Sequence, residues 1–285
     1  MKVGTISALF RYPVKSMAGE QLAELALGER GVPGDRAWAV RDEVRGGIRG
    51  GKRFPQLMQC RAAYDEAPPA EGSIPAGITL PDGRRLAIDA AETPGLLSEL
   101  VGSPVTVWPL LPADRLDHYR RGKPVLDDME AEFRRVFGRT EEEPLPDVTK
   151  FPDFLTEFES PPGTYFDAFP LLVMTTESLA NLQRIAPDHD FDVSRFRPNL
   201  LVETDSDEAF PERDWPGKTL RIGGTEIQIE MDCPRCVMTT HGFGSLPEDP
   251  GIMRSLVKHA GGDLGVYASV RTPGTIRIGD GVELN

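Results

Sequence analysis

The chain has 285 residues, of which 39% are apolar and 27% are charged, a balance that excludes disordered and collagen-like proteins. Its formal net charge of −13 argues against a nucleic-acid partner, because proteins that bind the phosphate backbone need a basic surface. The charge is uneven, since residues 1–61 hold 11 basic and 6 acidic side chains. This first part of the chain could therefore still bind an anionic small ligand.

The 29 glycines and 26 prolines indicate many turns and favour short strands over long helices. Three cysteines are too few, and odd in number, for a disulfide framework. Arg11 and Lys15 interrupt the first apolar residues, so no secretion signal is predicted, and no apolar run reaches the roughly 18 residues that span a membrane. We therefore expect a cytoplasmic protein with no membrane partner.

The first 110 residues are predicted to be mainly strands joined by tight turns. Local patterns of β-forming residues predict strands over residues 3–10, 36–40, 78–80, 84–88 and 105–110. The turn that begins at Pro81 joins two of these strands in a hairpin. A helix is expected over residues 94–100, because Thr93 can cap it and proline suits its first position.

Residues 127–167 hold 12 acidic and 4 basic side chains and show no hydrophobic period, which indicates a linker or an excursion. A buried strand is predicted over residues 170–174, followed by a helix through Ile185 with Thr175 and Thr176 as its caps. The remaining predicted elements are strands over residues 200–203, 219–222, 226–231, 265–271 and 275–278 and a helix over residues 252–260.

The most informative local pattern is C-x-x-C, formed by Cys233 and Cys236. A thioredoxin-like redox pair is one interpretation, although residues 237–240 look like a strand rather than a helix. A zinc site with His241, and with His259 as a further candidate ligand, is a second. A single thiolate ligand for a soft metal, with Arg235 lowering the thiol pKa, is a third. The fourth is that both cysteines are simply buried as small apolar residues.

Three further segments place cations or hydroxyls beside proline or glycine. Lys15 offers a point charge and Ser16 a hydroxyl, while Arg36 and Arg197 offer planar guanidinium groups suited to phosphate oxygens. Together they could form a cradle for an anion. The alternative is that each arginine pairs at the surface with a carboxylate such as Asp35.

Seven segments, taken in order, resemble the MOSC-domain family, both its bacterial and its amidoxime-reducing members, over nearly the whole chain. They are YPVKS at 12–16, LGERG at 27–31, GDRAW at 34–38, DAFP at 167–170, FRPN at 196–199, PRC at 234–236 and GTIRIGD at 274–280. The resemblance implies an α+β, predominantly β fold, with a MOSC-type β-barrel core, a β-rich amino-terminal domain and few short helices. The expected division is an amino-terminal β-barrel domain over 1–120, an acidic linker or excursion over 121–165 and the MOSC core over 166–285.

The resemblance also implies a molybdenum cofactor, a pterin dithiolene that bears a phosphate and whose metal takes one protein thiolate. By motif position Cys236 is that metal ligand and the catalytic residue, with Cys233 as a neighbour and Cys60 as a structural cysteine. The residues that match cofactor-binding positions are Lys15, Ser16, Arg36, Ala168, Phe169, Arg197, Asn199 and Arg235. Ala168 and Phe169 stand where hydroxyl residues are usual, so only their backbone amides could bind the cofactor.

The function implied is that of a molybdenum-dependent oxidoreductase that reduces an N-hydroxylated small molecule. A non-catalytic cofactor carrier or sulfur-transfer module is one alternative, and a zinc-stabilised binding protein is another. No pyridoxal phosphate, iron–sulfur cluster or NAD is expected in this chain, because an iron–sulfur cluster needs about four cysteines and the Gly46–Gly51 region lacks the G-x-G-x-x-G spacing. A separate electron-donor protein is therefore predicted. The loop 241–251 departs from the family pattern, and His241 in it could transfer a proton.

Overall fold

Strands dominate the regular structure. The computed structural model describes residues 1–285 apart from the side chain of Val148, and it confirms a predominantly β fold with few short helices. The strands are β1 (Lys2–Arg11), β2 (Glu20–Leu22), β3 (Glu24–Leu27), β4 (Trp38–Asp42), β5 (Ile48–Arg49), β6 (Arg61–Ala63), β7 (Gly77–Thr79), β8 (Arg85–Ala87), β9 (Val105–Pro109), β10 (Leu171–Thr175), β11 (Leu200–Thr204), β12 (Thr219–Ile222), β13 (Thr225–Pro234), β14 (Asp263–Thr272), β15 (Gly274–Arg277) and β16 (Gly281–Leu284).

The five α-helices are all short. They are α1 (Thr93–Val101), α2 (Leu116–Tyr119), α3 (Met129–Phe137), α4 (Thr176–Ile185) and α5 (Gly251–Ala260). In the described residues, no helix combines the length and the apolar character that crossing a membrane requires.

Seven strands form a closed barrel in the order β1, β11, β10, β14, β13, β12, β16. The ring closes because β1 pairs with β11, where Ile6 faces Val202, and with β16, where Thr5 faces Gly281. Only β10 and β11 are parallel, and every other neighbouring pair around the ring is antiparallel. The barrel core implied by the family resemblance is therefore confirmed.

The inside of the barrel is packed with aliphatic side chains. Buried and less buried residues alternate along most of β1, as expected when one face of a strand points inward. Ile6, Val173, Val202, Ile229 and Val266 are among the inward residues, and none is more than 1% exposed. Because the interior is filled, a ligand has to bind at an end or on the outside of the barrel.

A second core lies beside the barrel. It joins the sheet β5-β4-β9, the sheet β6-β7-β8 and helix α1. Val14, Trp38, Phe54, Ile78 and Leu97 are among its buried residues. The expected division of the chain into domains stays a prediction, and the amino-terminal strand β1 also belongs to the barrel.

Most predicted elements are present, with shifts of one or two residues at many ends. The hairpin is formed by β7 and β8, where Ile78 faces Leu86, and Thr175 caps α4 by accepting a hydrogen bond from the Ser178 amide. The predicted cap of α1 is wrong. The residue before the helix is Glu92, and the Thr93 hydroxyl instead donates to the Ala87 carbonyl at 2.8 Å.

The acidic segment contains structure that its sequence pattern does not predict. Helix α3 begins after Asp128, whose carboxylate accepts from the Ala131 amide at 2.9 Å, and ends at Gly138 in a left-handed conformation. Short 3-10 turns follow at Val148–Lys150 and Asp153–Thr156. This segment forms one wall of the cavity described next.

Candidate functional site

A cavity of about 700 Å³ lies between the barrel, the second core and the acidic segment. All nine residues that the sequence analysis singled out as catalytic or cofactor-binding line this one cavity. They are Lys15, Ser16, Arg36, Ala168, Phe169, Arg197, Asn199, Arg235 and Cys236. Residues more than 200 positions apart in the chain therefore meet at one place.

The ends of strands bring these residues together. Lys15 and Ser16 follow β1, and Arg36 precedes β4, where the Lys15 amide donates to the Trp38 carbonyl at 2.8 Å. Arg197 lies just before β11, and Cys236 follows β13. The site is thus built on connections that a rigid sheet framework holds in place.

Three residues of the cavity adopt a backbone conformation that L-residues rarely use. Ser16, Arg36 and Arg197 have φ angles of 68°, 49° and 60°, and they are the non-glycine residues with positive φ in the described chain. Such a conformation costs on the order of 1 kcal/mol and persists where function requires it. Their coincidence at one cavity makes it the candidate functional site.

Arg36 and Arg197 form a pair of cations over one aromatic ring. Their guanidinium carbons lie 5.1 Å and 4.3 Å from the centre of the Tyr12 ring. Burial, together with repulsion from Arg36, lowers the pKa of Arg197 to about 10. Its Nη2 is buried without a hydrogen-bond partner, while its Nη1 donates to the Met17 carbonyl at 2.6 Å. An anion in the cavity would satisfy this donor and relieve the repulsion.

Asp35 and Asn199 hold this cation pair from behind. The Asp35 carboxylate forms an ion pair with Arg36 and accepts from the Tyr12 amide at 2.7 Å. The Asn199 amide donates to Asp35 at 3.2 Å and accepts from the Leu172 amide at 3.2 Å. Asn199 therefore positions the site, because these contacts use both ends of its side-chain amide.

A lysine pair brackets one carboxylate on another side of the cavity. Asp167 accepts from Lys15 Nζ at 2.7 Å and from Lys52 Nζ at 3.2 Å. Burial opposes ionisation of Asp167, but the two ammonium groups hold its pKa well below its ordinary value. Burial also lowers the pKa of Lys15, whereas for Lys52 the attraction of Asp167 and Cys236 outweighs burial and raises the pKa.

The two cysteines of the C-x-x-C segment have different environments. Cys236 is partly exposed and lines the cavity at the end of β13. Cys233 is 3% exposed, and its sulfur accepts from Arg235 Nη1 at 3.0 Å, while Arg235 Nη2 donates to the Phe196 carbonyl at 2.6 Å. In the described side chains the hydrogen bonds of Arg235 thus go to Cys233 and the backbone, and an electrostatic effect of Arg235 on the Cys236 thiol stays a prediction.

The segment after Cys236 differs from the predicted strand. Residues Val237–Thr240 form a 3-10 turn in which the Thr239 hydroxyl donates to the Cys236 carbonyl at 3.1 Å and the Thr240 hydroxyl to the Val237 carbonyl at 2.8 Å. These local bonds compete with strand pairing. His241 follows, with Nε2 at 3.1 Å from the Gly51 carbonyl, and burial is the main cause that lowers its pKa.

The donor set fits the molybdenum cofactor that the family resemblance implies. Ten residues that line the cavity are Lys or Arg and four are Asp or Glu, so the lining is cationic although the chain is acidic. The Nε atoms of Arg49 and Arg235, like Nη2 of Arg197, are buried without a hydrogen-bond partner. Unpaired cationic donors suit a phosphate, and the Cys236 thiol suits a soft metal.

Ala168 and Phe169 contribute backbone rather than side-chain polarity. In the part of the chain that the structure describes, neither amide donates a backbone hydrogen bond, so both remain available to a ligand. The Phe169 ring packs on Tyr267 with 5.6 Å between ring centres. Binding of the cofactor by these two amides stays a prediction.

The sequence analysis missed several lining residues, namely Gly50, Gly51, Lys52, Asp167 and Met238. The signal for the glycines is steric. A Cβ at Gly50 would lie 2.2 Å from Ser16 Oγ, and one at Gly51 would lie 2.9 Å from Met238 Cε. The Gly51 amide also donates to Ser16 Oγ at 2.8 Å. From sequence alone, these two glycines are compared only with a dinucleotide-binding motif. In the structure they instead let the backbone of this loop pass close to Ser16.

Two family descriptions match this chain. "MOSC N-terminal beta barrel domain" matches residues 3–103, and "MOSC domain" matches residues 161–283. Together the two matches include all nine predicted site residues. Lys15, Ser16 and Arg36 lie in the first match, and the other six lie in the second.

Other proteins are similar to this chain over nearly its full length. "Mitochondrial amidoxime reducing component 2" of Homo sapiens is 28% identical, over 99% of this chain and 83% of its own length. "Mitochondrial amidoxime-reducing component 1" of Homo sapiens is 25% identical over the same shares. Among solved structures, the YuaD protein of Bacillus subtilis is 13% identical with a TM-score of 0.42, covering 99% of this chain and 94% of that one.

Proposed function

Since the chain belongs to the MOSC-domain family, we propose that it is a molybdenum-cofactor-dependent oxidoreductase that reduces N-hydroxylated small molecules. The observation that carries the proposal is that all nine predicted site residues line one cationic cavity with a partly exposed thiol. Relatives named as amidoxime reducing components support the substrate class.

The proposed roles follow from the contacts in the cavity. Arg36, Arg197, Lys15 and Ser16 bind the phosphate and the pterin, and Cys236 provides the thiolate ligand of the metal. When bound, the cofactor supplies the two electrons that the reaction consumes. In the overall reaction the N–O bond of the substrate breaks, two protons and two electrons are taken up, and the oxygen leaves as water.

Lys52 is the cation best suited to the oxygen that leaves. Its pKa is raised by Asp167 and Cys236, against the effect of burial, so the ammonium stays charged at neutral pH and can hydrogen-bond a developing oxyanion. His241 is neutral at pH 7, because burial lowers its pKa, and a role for it as a proton carrier stays a prediction. A cytoplasmic location also stays a prediction, since the relatives carry mitochondrial names.

The proposal is tested in two steps on the purified protein. The first is measurement of molybdenum, zinc and pterin phosphate. Molybdenum and pterin in equal amounts support the proposal, whereas zinc alone supports the zinc-stabilised binding protein.

The second step separates an enzyme from a cofactor carrier or sulfur-transfer module. Reduction of benzamidoxime to benzamidine is followed with reduced methyl viologen as the electron source. If the wild-type protein turns over the substrate and Cys236→Ser does not, the protein is an enzyme as proposed. If the protein contains the cofactor but shows no turnover, the result supports a cofactor carrier or sulfur-transfer module.

A further inference from the structure

Helix α3 turns an apolar face toward the cavity rather than toward a hydrophobic core. Met129, Phe133, Val136 and Phe137 follow helical spacing, and all four line the cavity. In the described residues, none of the four belongs to a hydrophobic core cluster. Phe133 is still 36% exposed and Met129 is 55% exposed. In the described residues, Met129 and Phe133 therefore leave much of this apolar face uncovered.

Polar contacts, not apolar packing, fix the position of α3. The Glu132 carboxylate accepts from the backbone amides of Val125 and Leu126, at 3.3 Å and 3.2 Å, and pairs with Arg135 at 2.7 Å. Arg135 Nη1 also donates to the Lys52 carbonyl at 2.9 Å. The helix is therefore held in place without using its aromatic side chains.

The apolar face is continuous with the site at Cys236. The helix ends at Gly138, where an added Cβ would lie 3.4 Å from Cα of Val237, the residue next to Cys236. Phe151 and Leu155 of the same acidic segment extend the apolar wall. The cavity thus has a buried cationic part around Arg36 and a more exposed apolar part around Phe133.

We propose that Phe133 and Phe137 determine substrate specificity by binding an apolar, flat substituent of the N-hydroxylated substrate. This inference rests on the proposed function. A small molecule is the occupant because the face lines a cavity of about 700 Å³, within the usual range for such ligands, and because the cavity also contains the thiol. The planes of the two rings are nearly parallel, with an angle of 9° and 6.3 Å between ring centres. Both rings can therefore pack against a flat ligand in the same orientation.

The first test compares two substrates that share the reacting group. We expect the ratio of kcat/KM for benzamidoxime to that for acetamidoxime to fall about tenfold in Phe133→Ala and in Phe137→Ala, because the phenyl ring loses its contact. In Phe133→Leu, which keeps apolar volume, the ratio should stay within about threefold of the wild-type value. Reduced methyl viologen supplies the electrons in each case.

The matched control is Leu116→Ala, a residue of α2 that is 43% exposed and lies outside the cavity lining. Its substrate ratio should equal that of the wild type. A ratio unchanged in both phenylalanine variants, or one that falls equally in Leu116→Ala, overturns the proposal.

Calorimetry separates failure of this inference from failure of the proposed function. Binding of benzamidine and acetamidine needs no turnover. It therefore tests whether Phe133 and Phe137 contact an apolar substituent even if the protein reduces neither amidoxime. We expect Phe133→Ala to weaken benzamidine binding about tenfold relative to acetamidine binding. Equal affinity of wild type and Phe133→Ala for benzamidine overturns the specificity role, whatever the activity assay shows.

Discussion

Cys236 and Cys233 are three residues apart, yet their different surroundings predict a large loss of activity on substitution of one and a small loss on substitution of the other. We expect Cys236→Ser to remove nearly all amidoxime reduction, because a serine hydroxyl is a poor ligand for a soft metal. Cys233→Ser should be much milder, since its sulfur is buried and accepts a hydrogen bond from Arg235, although Cys233 also lines the cavity. Activity and molybdenum content of both variants are the measurements.

The pair of variants also tests the competing interpretations of the C-x-x-C segment. Equal loss of activity in both variants is the result expected of a dithiol or a zinc site, and it would contradict the assignment of Cys236 as the single ligand.

Arg36 and Arg197 should act on cofactor retention rather than on the chemical step. We expect Arg36→Ala and Arg197→Ala to lower the molybdenum and pterin content more than the turnover per bound molybdenum. A charge-assisted contact of this kind typically contributes about 1.5 to 3 kcal/mol. Arg85→Ala is the control, because Arg85 forms an exposed ion pair with Asp65 and neither residue lines the cavity. Full cofactor content in both cavity variants would contradict the anion-binding role.

At the scale of elements, the loop that carries Gly50 and Gly51 sets the position of Ser16. We expect Gly50→Ala to lower cofactor content, since the new Cβ would lie 2.2 Å from Ser16 Oγ and must displace it. Gly95→Ala is a matched control, because a Cβ there meets nothing within 4 Å. The content of pterin phosphate after purification is the measurement, and wild-type content in Gly50→Ala would show that Ser16 is not needed in its present position.

Helix α2 joins the cavity wall through a buried histidine. His118 is 8% exposed and its Nε2 lies 2.7 Å from the Tyr165 hydroxyl, while the Tyr165 carbonyl accepts from Lys15 Nζ at 2.7 Å. Burial, with repulsion from Arg41 and Arg115, lowers the pKa of His118. The unfolded chain therefore takes up a proton below about pH 6.5 that the folded state does not.

This difference predicts that the free energy of unfolding falls as the pH drops from 7 toward 5. In His118→Gln the slope of that fall should be smaller, by at most about 1.4 kcal/mol per pH unit, because one titrating group is removed. Urea unfolding at several pH values measures the slope. Identical slopes for the two proteins would mean that His118 is protonated equally in the folded and unfolded states.

At the scale of the whole molecule, the elements that could be predicted are those whose apolar pattern serves the core. Strand β10 is a fully buried apolar run, and it was found from sequence. Helix α3 could not be predicted, because charged residues interrupt its hydrophobic pattern and its apolar face lines a cavity rather than a core. Motif order predicts nine site residues that all line one cavity and whose roles stay predictions, whereas contacts such as Lys52 with Asp167, 115 residues apart, need the folded chain.

The source of electrons is also a property of the whole molecule. Reduction of an N–O bond consumes two electrons, and the three cysteines of this sequence are fewer than the four that an iron–sulfur cluster typically needs. The glycines at 46–47 and 50–51 lack dinucleotide spacing, and Gly50 and Gly51 instead face Ser16 and Met238. That a reduced partner protein is the donor stays a prediction.

We predict that the purified protein reduces no amidoxime with NADH or NADPH alone and that a ferredoxin-type or flavin reductase system restores the reaction. Since several basic residues line the cavity and the segment 127–167 is acidic, charged surfaces should steer the donor, and the restored rate should fall as ionic strength rises. Reduced methyl viologen, a small molecule, serves as the control, because its rate should depend less on salt. Rapid NADH oxidation coupled to amidoxime loss by the protein alone would show that the chain accepts electrons from a dinucleotide directly.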